Sequence, residues 1–288
     1  MSDLTIEIVI LVYSRAHHAI KVFESLIDNS VFSFTVCFDK ADSEVVNSEQ
    51  KKIIYYLDNN PYIKAKKVFF ENKMGLANSV INAIKLTLKE HDAIILLEDD
   101  CVVRSGGIQY FKDGLRNLND DKRIRSICGY TYPTPDLEWG SNQELALLMR
   151  FSPWGWATWA DRWKDYNKDL SNLIDTLDSS GLLIEEFASD LARLCAEREY
   201  LNGSKDIWSV SWILQHYLTD TYSVFPRDTF IDNIGMDGTG IHCERTEVFD
   251  HSIHRSSLVM RDWKNIEYYP TNEIVIRKFM DVNGKAVY

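Results

Sequence analysis

Apolar and polar positions along the first half of the chain fall into blocks whose period changes from one to the next. Ile6 to Val12 is an apolar run of strand length, and Ala16 to Ile27 follows with helical spacing. Phe34 to Phe38 predicts a second strand, and the polar stretch from Ser43 to Leu57 is compatible with a helix. A third strand is read at Val68 to Phe70. Leu76, Val80, Ile81, Ile84 and Leu88 then share one helical face. Ile94 to Leu97 is the fourth strand and Arg125 to Cys128 the fifth. Strand and helix in strict alternation predict an α/β fold, a mostly parallel and doubly wound sheet with right-handed crossovers.

The second half reads differently. Aromatic residues crowd Phe151 to Trp163, and a helix is expected from about Leu182 to Glu199. Another should start near Trp208, because Trp208 and Trp212 lie four residues apart on one face. Val224-Phe225-Pro226 is a short strand ended by proline. From about His251 onward, charged and aromatic residues mix as in a tail that packs on a domain.

One block carries chemistry as well as structure. Ile94-Ile95-Leu96-Leu97 runs straight into Glu98-Asp99-Asp100, which puts three carboxylates at the carboxyl end of a strand buried on both faces. Ligands of open α/β sheets bind at that edge. Adjacent carboxylates repel one another, and burial raises the cost of their charge. A hard divalent cation that also holds phosphates would remove that cost. A solvated acidic turn is the bland alternative, made less attractive by the apolar run immediately before it.

Other strand ends point to the same edge. Tyr13-Ser14-Arg15 follows the first strand: a tyrosine can stack on a base, and an arginine can pair with a phosphate or base oxygen. Asp39 ends the second strand, where it either accepts a hydrogen bond from a ring N–H or caps a turn. Asn72-Lys73-Met74-Gly75 ends the third. There Gly75 allows close backbone approach, and the helix that follows favours anions at its start. No GxGxxG or phosphate-binding-loop motif occurs, which counts against the common dinucleotide and ATP folds. Together these residues describe a nucleoside diphosphate bound through a metal.

Composition narrows the partners. The 288 residues hold 32 Lys and Arg against 43 Asp and Glu, a formal charge of −11, which argues against nucleic acid as a partner. Five widely spaced cysteines fit reduced thiols better than a disulfide framework. No run of about 18 apolar residues and no basic leader occurs, so a soluble cytoplasmic protein without a transmembrane segment is expected. Peripheral contact with the inner face of a membrane stays open.

Three stretches of the second half complete the candidates. Trp154-Gly155-Trp156, within Ser152 to Trp159, forms either a flat apolar wall for sugar rings or part of an aromatic core. Asp206, just before Trp208, is either a helix cap or a general base. Asn233 to Cys243 is a glycine-rich loop containing Gly238 and ending beside His242. Such a loop can fold over phosphates, and a neutral imidazole can ligate a metal.

These residues resemble a family. Val12-Tyr13-Ser14-Arg15, Asp39, Gly75-Leu76-Ala77-Asn78, Glu98-Asp99-Asp100, Trp154 to Trp159 and Asn233 through Cys243 are similar to bacterial glycosyltransferases of the GT-A fold, near family 2. The Glu-Asp-Asp form is like that of N-acetylglucosaminyltransferase I. The resemblance implies a GT-A domain over residues 1–250, with a nucleotide-binding half (1–130) and an acceptor half (131–250), and a packed tail at 251–288. It implies that Tyr13, Arg15 and Asp39 hold the base of a nucleotide sugar, with a UDP-sugar favoured. Lys73 and Gly75 would lie by the nucleotide, and Glu98 and Asp99 near the ribose. Asp100 and His242 would ligate Mn2+ or Mg2+. Trp154, Gly155, Trp156 and Gly238 would line the donor-sugar and acceptor pocket. Many relatives have a Trp-Asp pair where this chain has Trp208-Ser209, but Lys205-Asp206 resembles the Lys-Asp form of some of the subgroup, which implies Asp206 as the base, with an inverting outcome. The acceptor would be a hydroxyl of a glycan or lipid-linked glycan in bacterial surface-polysaccharide assembly. A non-catalytic nucleotide- or sugar-binding module and a nucleotidyltransferase are the rival readings.

Overall fold

A computed structural model describes residues 4–142, 144–200, 208–239, 245–250 and 262–284. In chain order the elements are β1 (Ile6–Val12), α1 (Ala16–Asp28), β2 (Ser33–Phe38), α2 (Glu44–Asn59), β3 (Lys64–Phe69), α3 (Leu76–Thr87), β4 (Ala93–Glu98), β5 (Cys101–Val103), α4 (Gly107–Asn117) and β6 (Ile124–Cys128). There follow β7 (Leu145–Leu148), β8 (Trp156–Trp159), α5 (Ala160–Trp163), α6 (Leu170–Ser179), α7 (Ile184–Phe187), α8 (Ser189–Tyr200), α9 (Trp208–Thr219), β9 (Tyr222–Pro226), β10 (Ile231–Asn233) and α10 (Pro270–Asn283).

Eight strands form one sheet in the order β3-β2-β1-β4-β8-β6-β9-β7, flanked by helices. The first four are parallel to one another, as the alternation of blocks predicts. β8 then runs antiparallel between β4 and β6, β9 lies parallel to β6, and β7 closes the far edge antiparallel. The fold is therefore α/β with a mostly parallel central sheet. β1 and β4 are apolar because they are covered on both faces, and Val9, Ile10, Ile94, Ile95 and Leu97 are wholly buried. β3 is longer than its apolar residues suggest. It is an edge strand, and Lys64, Lys66 and Lys67 supply the charges that blunt such an edge.

A second, two-stranded sheet pairs β10 with β5 antiparallel, Asn233 opposite Cys101. This small ribbon sets the site, because it carries the start of the glycine-rich loop back to the residues that follow β4. The helix expected over Leu182 to Glu199 is divided into α7 and α8 at Ala188, whose φ of −147° and ψ of 57° leave helical space. The C-terminal stretch contains a full helix, α10, opened by Pro270 at a position where the missing N–H costs nothing. It packs Asn272, Glu273, Ile276 and Met280 inward. Cys37, Cys101, Cys128 and Cys195 are buried, and none of the four is in a disulfide. No helix among the described residues is long and apolar enough to cross a membrane.

Candidate functional site

The carboxyl ends of β1, β2 and β4 lie side by side, and the register places Leu11 opposite Glu98 and Val12 opposite Phe38. The three residues after β1 and the acidic triplet after β4 therefore meet. Arg15 donates through one nitrogen, Nη2, to Asp99 Oδ1 and to Asp100 Oδ2, the latter at 2.6 Å. The Tyr13 backbone N–H lies 3.5 Å from Asp99 Oδ2. Asp99 and Asp100 are buried, and the Arg15 side chain is 20% exposed. Burial works against the guanidinium charge, but Asp99 and Asp100 outweigh it and raise the Arg15 pKa. Burial also pushes the Asp99 carboxyl up to about 6, with Asp100 adding to the rise and Arg15 opposing it.

The glycine-rich loop closes over this pair. Ile234 N–H donates to the Asp100 carbonyl at 2.9 Å, continuing the β5–β10 ribbon. Gly235 then passes so near that a Cβ there would lie 2.1 Å from Asp100 Oδ2 and 2.8 Å from Arg15 Nη1. Only a residue without a side chain fits between them. Farther along, Asp237 lies 3.1 Å from His18 Nε2 on α1 and accepts from the Thr239 N–H and hydroxyl. The bond to Thr239, aided by His18, lowers the Asp237 carboxyl to about 2. Gly238 sits at φ +83° beside Arg245.

A second cluster flanks the first. The Tyr13 phenol donates to Asp42, while Lys73 donates to the Tyr13 oxygen and to Asp42 Oδ2, 2.7 Å away in the latter case. The Lys73 ammonium lies 3.6 Å from the centre of the Tyr13 ring, a cation–π distance. Its bonds to Asp42 and Tyr13 raise the Lys73 pKa against the effect of burial. Lys73 in turn holds Asp42 low.

Asp39 occupies its expected place but is turned toward backbone. Its Oδ1 accepts from Met74 N–H at 2.7 Å and from Lys40 N–H at 2.8 Å, and its Oδ2 accepts from Gly75 N–H at 3.0 Å. This is the turn-capping alternative: the carboxylate ties the end of β2 to the turn that opens α3, where Gly75 is the N-cap at φ 73°. Gln50 of α2 makes a parallel tie, donating to the Tyr13 and Asp39 carbonyls at 3.0 and 2.7 Å. Glu49 accepts from Ala16 N–H and so caps α1 from outside. Asp42, Gln50, Glu49, His18 and Asp237 were not signalled by the sequence.

The tryptophan stretch requires a correction. Trp156 is fully buried, with Phe151, Trp163, Trp208 and Trp212 as ring neighbours. It belongs to the core side of β8 and cannot offer a face to a sugar in this arrangement, because strand alternation aims it at α9. Trp154 is 8% exposed and packs edge-on to Tyr130 and Phe249. Gly155 links them at φ +64°, and a Cβ there would lie 2.6 Å from Ile231, so both backbone and space demand glycine. Asp206, His242 and Cys243 lie outside the described residues.

Among the described residues, no three His, Cys, Asp or Glu side chains converge as a ready metal cage. Asp99 and Asp100 nevertheless converge on a single cationic nitrogen. Ions such as Mg2+ are commonly held by one or two carboxylates and completed by substrate phosphates. Two carboxylates that converge in this way are compatible with a site of that kind.

No protein-family model matches the chain, and no curated protein matches it in sequence. Among solved structures, it is similar to the mannosyltransferase PcManGT from Pyrobaculum calidifontis in complex with GDP-Man and Mn2+, at 11% identity and a TM-score of 0.41, over 62% of this chain and 47% of that one. S. aureus TarS 1–349 gives 10% identity and 0.44, over 79% of this chain and 60% of that one. The 4-diphosphocytidyl-2C-methyl-D-erythritol synthase from Anaerococcus prevotii DSM 20548 gives 8% and 0.41, over 77% and 86%. The chain thus spans about half to three-fifths of the first two.

Proposed function

We propose that the chain is a glycosyltransferase of the GT-A type that moves a sugar from a nucleotide-sugar donor, a UDP-sugar favoured, to a hydroxyl of a glycan or lipid-linked glycan, with inversion. One observation carries the reading: Arg15, Asp99, Asp100 and Gly235 converge at the carboxyl edge of β1 and β4, where open α/β sheets take nucleotides. The Tyr13–Asp42–Lys73 cluster beside it offers an aromatic ring and a cation to a nucleoside phosphate. Glu98 and Asp99 would accept hydrogen bonds from the ribose hydroxyls.

Asp100, with His242, would hold Mn2+ or Mg2+, and the ion would supply neutralising charge for the departing diphosphate. The chain's own residues do the remaining work. Lys73 binds anionic oxygens, Arg15 pairs with an oxygen of the base, and the backbone of the Gly235 loop excludes water from the diphosphate side. Asp206 takes the proton from the acceptor hydroxyl as that oxygen attacks the anomeric carbon. Holding both substrates on one edge supplies the orientational part of the acceleration. A place in surface-polysaccharide assembly, on the cytoplasmic side and in peripheral contact with the membrane, suits such an acceptor.

The test is calorimetric titration of a panel of nucleoside diphosphates with Mn2+, followed by assay of the matching nucleotide sugar for transfer or slow hydrolysis. Asp100→Ala should lose metal-dependent nucleotide binding, whereas Asp206→Asn should retain binding and lose turnover. Tight binding in the native chain without transfer or hydrolysis would favour a non-catalytic module. Release of pyrophosphate from a nucleoside triphosphate would favour a nucleotidyltransferase.

A further inference from the structure

Arg15 is placed oddly for a residue whose only task is to meet a nucleotide. A single guanidinium nitrogen is shared between Asp99 and Asp100, and Gly235 is pressed against both the Asp100 carboxylate and the guanidinium. The nitrogen therefore occupies the point on which the two carboxylates converge, which is also the point a divalent ion would take. Both cannot be there.

We propose that Arg15 is the resident counter-cation of the Asp99–Asp100 pair and that it couples metal binding to diphosphate binding. A metal ion arriving alone at that point must displace the guanidinium from both Asp99 and Asp100. That displacement strands a largely buried positive charge, which is costly when it has no anion. An ion arriving with a diphosphate brings the missing partner, since the planar guanidinium can turn from carboxylate to phosphate and keep two charge-assisted bonds. The loop at Gly235 limits that turn to a short one, because the backbone lies against Arg15 Nη1. Metal and diphosphate then bind as a unit, and by linkage each raises the affinity for the other by the same factor. The inference rests on the nucleotide-sugar reading and deepens it: it assigns Arg15 to the phosphates rather than to the base.

Mn2+ alone is titrated into the full chain and followed by the electron paramagnetic resonance signal of the free ion. The titration is repeated with pyrophosphate, and then with UDP. In the native chain, Mn2+ alone should bind weakly, and both diphosphates should tighten it. Arg15→Gln should take up Mn2+ alone about tenfold or more tighter than the native chain, with the benefit from pyrophosphate largely gone. If Arg15→Gln folds, as judged by its melting temperature, and binds Mn2+ no more tightly than the native chain, the inference fails while the nucleotide-sugar reading stands. If Arg15→Gln does not fold, the native titrations still decide: Mn2+ binding that pyrophosphate does not strengthen overturns the coupling. If the native chain and Asp100→Ala both bind no Mn2+ under any of these conditions, the metal site and the inference fall together.

Discussion

At the scale of single residues, the site depends on what is absent from one position. Gly235 lies where a methyl group would meet Asp100 Oδ2 at 2.1 Å and Asp100 Cγ at 2.9 Å. Gly235→Ala should push the carboxylate off Arg15 or lift the loop. Overpacking of this kind costs about 1–3 kcal/mol of stability. Metal-dependent nucleotide affinity should fall as well, by about tenfold or more on the scale of allosteric and linked couplings. Calorimetry alongside a urea melt checks the pair of effects, and native-like nucleotide affinity would show that the loop moves away freely. Much of this site was legible in the sequence, because Tyr13, Arg15, Asp39, Lys73 and Asp100 each end a strand that its apolar block announces. What they touch was not. The contacts of Asp42, Asp237 and Gln50 join residues distant in the chain, and no local spacing records them.

At the scale of elements, the clearest case is the seam between β2 and α3. Asp39 offers both oxygens to the backbone N–H groups of Met74 and Gly75, so it acts as a cap supplied from a neighbouring strand. Asp39→Asn replaces one acceptor oxygen with a donor that faces an N–H. A lost cap of this kind costs about 1–2 kcal/mol, which urea denaturation should register. If stability is unchanged and nucleotide affinity falls instead, the carboxylate serves the ligand and the capping geometry is incidental. Element by element, the first half followed its apolar periodicity except at β5 and α4, which the sequence reading passed over. β8 was hidden because Trp156-Ala157-Thr158-Trp159 is too aromatic to distinguish a strand from a wall. β7 was hidden because Leu145 to Leu148 is only four residues long, and α10 because Ile276 and Met280 alone among its apolar residues are buried.

At the scale of the whole molecule, a buried polar knot joins the far edge of the sheet to three helices. Arg150, following β7, makes two bonds to Asp190 of α8, at 2.9 and 2.6 Å. Glu273 of α10 accepts from Met149 N–H at 2.6 Å and from the Tyr217 hydroxyl of α9 at 2.9 Å. His216, on α9, donates through Nδ1 to the Met149 carbonyl and is fully buried. Burial, with Arg125 adding to it, pushes the His216 imidazole down to about 3, against the bond to Met149. Its folded value thus lies below the unfolded one, near 6.5. The contribution to stability is whole above pH 6.5 and is lost as pH falls toward 3, by at most about 1.4 kcal/mol for each pH unit. His216→Gln removes the titration. Its stability, from urea melts between pH 7 and pH 4, should therefore decline less steeply with acid than that of the native chain, and parallel curves would contradict the assignment.

β8 has a consequence for the order in which the molecule is made. Among the described residues it is the only strand beside β4 on the side away from β1, and β6 reaches β1 to β4 only through it. As the chain leaves the ribosome, β1 to β4 can assemble among themselves, but the outer edge of β4 keeps its hydrogen-bonding groups open beside wholly buried apolar side chains. That edge is a template for any stray strand until Trp156 to Trp159 emerge and cover it. The same four residues that cover the open side of β4 also admit β6 and, behind it, β9 and β7. The acidic triplet is thus completed early in synthesis, whereas the sheet that holds it rigid closes only after residue 159.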